Sequence, residues 1–111
     1  MHEFYQYETD DMQLRIEDAE GQPAAGVLDG LTGAVVTIAQ GCVRAEWGID
    51  ELGLDSENSI INLHMAQEQS GMFMPGPAMV QVNLLYEDSE RDTTTQAEVM
   101  VLQNLHRQVM Q

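Results

Sequence analysis

Pro77-Ala78-Met79-Val80-Gln81-Val82-Asn83-Leu84-Leu85-Tyr86-Glu87-Asp88-Ser89-Glu90-Arg91-Asp92-Thr93-Thr94-Thr95-Gln96-Ala97-Glu98-Val99-Met100-Val101-Leu102-Gln103-Asn104-Leu105 is the stretch that decides the fold. In its first arm Ala78, Val80, Val82, Leu84 and Tyr86 fall on one face and Met79, Gln81, Asn83 and Leu85 on the other. The tip, Glu87 to Asp92, is wholly polar. The return arm opens on three threonines, then sets Ala97, Val99 and Val101 opposite Gln96, Glu98 and Met100. A period of two, rich in β-branched residues and closed by a charged tip, predicts a half-buried antiparallel hairpin. A lone hairpin is marginal in water, so further strands must cover its apolar face.

The rest of the chain supplies them. Met12, Leu14 and Ile16 alternate with Gln13, Arg15 and Glu17, and predict a first strand. Asp18 to Gly26 is loop chemistry. A turn at Asp29–Gly33 feeds a dense β-forming run, Ala34 to Ala39, and Val43 to Ile49 alternates again around Trp47, the only tryptophan, expected in the core. Asp50 to Ser59 reads as an acidic loop, without the ligand rhythm or central glycine of a calcium loop. Ile60 to Met65 is a clear strand, and Ala66 to Gly71 looks like one helical turn. Pro75-Gly76-Pro77 breaks the chain before the hairpin. Six or seven short strands with no long helical period predict an all-β fold, an antiparallel immunoglobulin-like β-sandwich with one short helical turn. The expected organisation is an N-terminal segment, 1–11, flexible unless Phe4, Tyr5 and Tyr7 find a groove, then a single domain over 12–111. The tail after Leu105 fits a short helix or an extended arm equally well.

The 111 residues suffice for one modest core. Nineteen acidic residues stand against four arginines and no lysine, a net charge of −15. Such a chain repels phosphate, so neither nucleic acid nor an anionic membrane is an expected partner. The acidity reads either as solubility at high concentration or as docking onto a basic surface. Cys42 is the only cysteine; an intramolecular disulfide is excluded, and a buried structural thiol is expected. The first residues lack a basic region followed by an apolar run, so no secretory signal is read, and no apolar stretch is long enough to span a membrane. Synthesis and folding in a bacterial cytoplasm are expected.

Little in the sequence supports reaction chemistry. His2, His64 and His106 are scattered, with no pair at metal-ligand spacing. Ser59, His64 and Asp55 can be written as a triad, but residues five apart on a strand point to opposite faces, and there is no nucleophile elbow. No glycine-rich phosphate loop is present. The expectation is a non-enzymatic protein with no catalytic residue, cofactor or metal. Eight methionines are the mild oddity. Met65, Met72, Met74, Met79 and Met100 either fill core gaps or form an adaptable docking patch. Met79, Leu85 and Met100 project from the face opposite the valines, and with Met72 and Met74 they are the candidate interface.

Four segments carry a resemblance in order: Thr9 to Leu14, Leu31-Thr32-Gly33-Ala34-Val35-Val36-Thr37-Ile38-Ala39-Gln40-Gly41, Ile61 to Phe73 with Gln67-Glu68-Gln69 inside it, and Pro75-Gly76-Pro77-Ala78-Met79-Val80-Gln81-Val82-Asn83. Together they resemble small prophage-encoded β-sandwich proteins of gut Firmicutes, distantly similar to the N-terminal domain of phage baseplate upper proteins. The chain departs from that pattern at Ala66, which cannot supply a helix-capping oxygen, and at Asp10-Asp11. The resemblance implies a phage structural protein of a tail, baseplate or head fibre, made in the cytoplasm and carried in the virion. Its partners would be other virion proteins or further copies of itself in a homo-oligomer. The rival expectation is a small acidic binding or inhibitory protein that docks on a basic partner.

Overall fold

The two segments with the densest alternation lie side by side at the centre of the larger sheet. The computed structural model describes residues 1–111. The strands are β1 (His2–Tyr5), β2 (Asp10–Arg15), β3 (Leu31–Gln40), β4 (Val43–Gly48), β5 (Leu52–Asp55), β6 (Ile60–Met65), β7 (Gly76–Tyr86), β8 (Arg91–Thr93) and β9 (Ala97–Leu102). One helical turn, α1 (Gln67–Ser70), and a 3-10 turn at Ile49–Glu51 complete the elements. The larger sheet runs β1-β9-β7-β3-β4, with β8 also paired to β7; the smaller runs β2-β6-β5. The protein is an all-β sandwich.

Alternation fixes which side chains meet between the sheets. From the larger sheet Val36, Ile38, Val80, Val82, Leu84, Val99 and Val101 point inward, and from the smaller Met12, Ile61, Leu63 and Met65; all are buried in one cluster. Burying each such side chain contributes about 1.5–3 kcal/mol. Trp47 is 1% exposed, and its indole N–H donates to the carbonyl of His64 at 3.2 Å. That bond ties β4 of one sheet to β6 of the other. It also satisfies the one polar atom that burial of the ring would otherwise leave stranded.

The hairpin is one long pair with a flaw in it. Leu85 pairs with Arg91 and Asn83 with Thr93, whereas further down Val80 pairs with Ala97 and Gly76 with Val101. The return arm carries one residue more than β7 over the intervening stretch, which makes a β-bulge at Thr94–Gln96. Thr94 fills the gap: its N–H donates to the Val82 carbonyl at 2.9 Å, and its hydroxyl accepts from the Val82 N–H at 3.0 Å. The tip is shorter than its polar sequence suggests, since Arg91 and Asp92 already belong to β8. Ser89, at φ 68, closes it in the left-handed region.

Several expectations need correction. There are nine strands, and the pairing is not purely antiparallel, because β1 lies parallel to β9 with Phe4 beside Val101. Phe4 does find a groove: it is buried and meets Phe73 edge-on, with ring centroids 6.2 Å apart. The start of the chain is therefore held as an edge strand. The segment read as an acidic loop contains β5, which pairs antiparallel with β6. Cys42 is exposed, not buried, because it occupies the two-residue turn between β3 and β4 beside Gly41 at φ 58. The tail is neither helix nor a straight extended arm: it is irregular, with bends at Leu105, His106 and Gln108.

Candidate functional site

The face of the larger sheet that turns away from the core is the surface the candidate residues share. Register places Arg44, Ala39, Met79 and Glu98 in one row across it, Glu46, Thr37 and Gln81 in the next, and Gly48, Val35, Asn83 and Thr93 beyond. Gly33, Leu85 and Arg91 close it at the hairpin tip, and Pro77, Met100 and Glu3 at the other end. Met79, Leu85 and Met100 therefore do lie on one face. They do not form one patch, because Leu85 and Met100 stand at opposite ends with polar Gln81, Thr37 and Asn83 between. Met72 and Met74 lie on the connection from α1 to β7 and are 46% and 67% exposed. Gln40, the last residue of β3, clamps Met74 by accepting its N–H and donating to its carbonyl, both at 2.8 Å.

Val35 and Gly33, neither of them among the candidate residues, complete the tip end beside Leu85. Val35 is 36% exposed and Leu85 42% exposed, and both border a groove of about 340 Å³ that also touches Gly33, Glu46, Asn83 and Arg91. Gly33 makes the dip: a β-carbon there would meet the Leu85 Cβ at 3.5 Å, so the glycine leaves room beside leucine where any side chain would fill it. Arg91 is turned aside, donating twice to Asn83 Oδ1 at 3.0 and 3.3 Å. Val35 was legible as an outward residue from alternation alone. Its neighbourhood with Gly33 and Leu85 was not, because the β3–β7 register is a tertiary fact.

Two other depressions carry polar groups. One of about 600 Å³ on the outer face of the smaller sheet holds His2, Asp11 and His64, with His64 Nδ1 at 2.8 Å from Asp11 Oδ1. The other, about 650 Å³, lies along the open seam between the sheets and is lined by Leu14, Ile16, Val27 and Thr93–Thr95. The triad that can be written from sequence does not assemble. The Ser59 hydroxyl donates to the Ala24 carbonyl at 2.6 Å, His64 pairs with Asp11, and Asp55 accepts from the side chain and backbone of Asn58 at 2.9 and 3.3 Å. Those bonds hold the Asp55 carboxyl below its ordinary 3.8. No three His, Cys, Asp or Glu side chains converge as a metal site. No helix is long and apolar enough to cross a membrane.

No protein-family model matches the chain, and neither does any curated protein.

Proposed function

We propose that this chain is a non-enzymatic structural protein of a phage or prophage particle, a tail, baseplate or head-fibre component that works through protein contacts. The observation that carries the reading is the outer face of the larger sheet. It presents the Val35–Leu85 groove at one end and Met100 beside Pro77 at the other, apolar contacts on a rigid, strand-built surface. The four ordered segments that resemble prophage β-sandwich proteins support the same reading. The acidic surface suits a protein packed at high copy, which must stay soluble until it meets its partner. On this reading the protein is made in the bacterial cytoplasm and leaves it inside the virion.

The rival, an acidic protein that docks on a basic surface, needs its carboxylates gathered on one face. They are instead spread over β1, β2, β4, β5, α1, β9 and the hairpin tip, which favours the first reading.

Quantitative mass spectrometry of particles purified from a producing strain tests it. The expected result is the chain present at a fixed ratio to the major particle proteins. Abundant chain in the cell lysate with none in washed, intact particles would overturn the proposal.

A further inference from the structure

The last residues of the chain differ in chemistry from everything before them. All nineteen acidic residues lie at or before Glu98, and the arm after β9 contains none, while it carries His106 and Arg107. It also carries the most exposed large apolar side chain of the molecule, Leu105, 94% exposed, and the exposed Met110. The arm lies against its own body through few contacts. Asn104 Nδ2 donates to the Gln6 carbonyl at 3.0 Å, and further out Gln67 donates to the Met110 carbonyl at 3.1 Å and accepts its N–H at 2.8 Å. A water-exposed pair of amide bonds of that kind contributes little, because water competes for both partners.

The tip-end groove has the complementary character. Val35 and Leu85 supply apolar walls over Gly33, Glu46 and Arg91 border it, with Arg91 held by Asn83 Oδ1, and the adjoining hairpin tip adds Glu87, Asp88 and Glu90. An apolar arm with a positive charge fits an apolar groove whose surroundings are negative on balance.

Leu105 cannot reach the groove of its own copy. It follows Asn104 directly, and one residue of chain spans at most about 3.6 Å. The rise along β7 from Gly76 to Leu85 is already about 30 Å, and Asn104 is anchored beyond the Gly76 end. The body is 45 Å along its longest axis.

We propose that the arm of one copy docks in the Val35–Leu85 groove of a second copy, seating Leu105 between the two side chains and setting Arg107 toward the acidic tip. Donor and acceptor lie at opposite ends of the molecule, so the contact is head-to-tail and leaves the pair with one unused arm, on one copy, and one unused groove, on the other. Association proceeds past the dimer into rings or filaments. The contact area of one arm is small, so each step is weak and shows at high concentration. The inference shares its surface with the function proposed above and rests on that reading only for the identity of the larger assembly. Its test needs no virus particle, so the two can fail separately.

Sedimentation velocity of the full-length protein, from micromolar to about millimolar, provides the test, with Leu105→Glu and Val35→Glu as variants and Leu85→Glu as a second groove variant should Val35→Glu fail to fold. The weight-average mass of the wild type is expected to rise beyond the dimer with concentration. Each variant alone is expected to weaken association at least about tenfold. An equimolar mixture of the arm variant and the groove variant restores a dimer that goes no further, because one partner keeps an intact groove and the other an intact arm. A wild type that stays monomeric throughout overturns the proposal. So does association that Leu105→Glu leaves unchanged, or a mixture that stays monomeric.

Discussion

The ring of Tyr7 lies so closely over Gly71 that a β-carbon built on the glycine would sit 2.4 Å from Cε1 of the ring and 2.6 Å from Cδ1. Tyr7 is itself at φ 62, in the turn that carries the chain from β1 of one sheet to β2 of the other. The helical turn and this crossover are therefore locked together by the absence of a methyl group.

Gly71→Ala should cost about 1–3 kcal/mol, the usual penalty for an overpacked contact. The backbone of Gly71 is ordinary, at φ −70. Alanine there would otherwise gain slightly by stiffening the unfolded chain. Adding Tyr7→Gly should recover part of the loss, so urea denaturation of the double variant should show less destabilisation than the two single changes summed. Strict additivity would mean the ring is not what the methyl meets.

Gln6 is 5% exposed, and its amide donates to the Phe73 carbonyl at 2.7 Å while accepting from the Asn104 N–H at 3.4 Å. Gln6→Leu keeps the volume and strands the Phe73 carbonyl, at a cost of about 1–3 kcal/mol. Gln67→Ala removes the comparable but solvent-exposed clamp on Met110 and should change stability by under about 0.5 kcal/mol. Equal losses from the two changes would show that burial does not separate these clamps.

Tyr86 donates its hydroxyl to the Val27 carbonyl at 2.6 Å, and burial, followed by the negative charge of Asp92, raises its pKa above the ordinary 10.0. The folded protein thus holds this proton more tightly than the unfolded chain does. The resulting stability is complete below pH 10.0 and is lost as pH rises from there through the higher folded value. Tyr86→Phe should be less stable than wild type by about 1 kcal/mol at neutral pH. The gap should narrow above pH 10.0, measured by denaturation at each pH; a gap constant with pH would contradict the assignment.

Ala66 precedes α1 with extended backbone and offers no side-chain oxygen to the first turn; only Gln69 reaches back, accepting the Ala66 N–H at 2.7 Å. Ala66→Ser supplies the missing half and should raise stability by about 1 kcal/mol. The check is a higher denaturation midpoint with an unchanged slope.

How much of this was legible varies by element. Val80, Val82, Val99 and Val101 were assigned inward from alternation, and all are buried. Here the period of two is a local property that the sheet preserves. Trp47 followed the same rule. β1 and β5 escaped for a common reason: each is a short edge strand with little inward apolar content, formed because a partner strand is already in place. His2–Tyr5 pairs with a segment at the far end of the chain, a relationship no local window contains. Cys42 was misplaced because the turn between β3 and β4 takes only two residues, so a small apolar side chain that would suit a core stands at the tip of the turn.

Alternation, β-branched content and turn residues determined that this chain must build sheets and which side of each long strand faces inward, since both follow from the direction of successive side chains along an extended backbone. Only the tertiary structure decided that the outward residues divide into two ends of one face, that Val35 stands beside Leu85 over Gly33, and that the acid-free arm leaves from the pole opposite that groove. Those facts depend on strand register and order, which arise from contacts between residues far apart in the chain and leave no periodic signature in it.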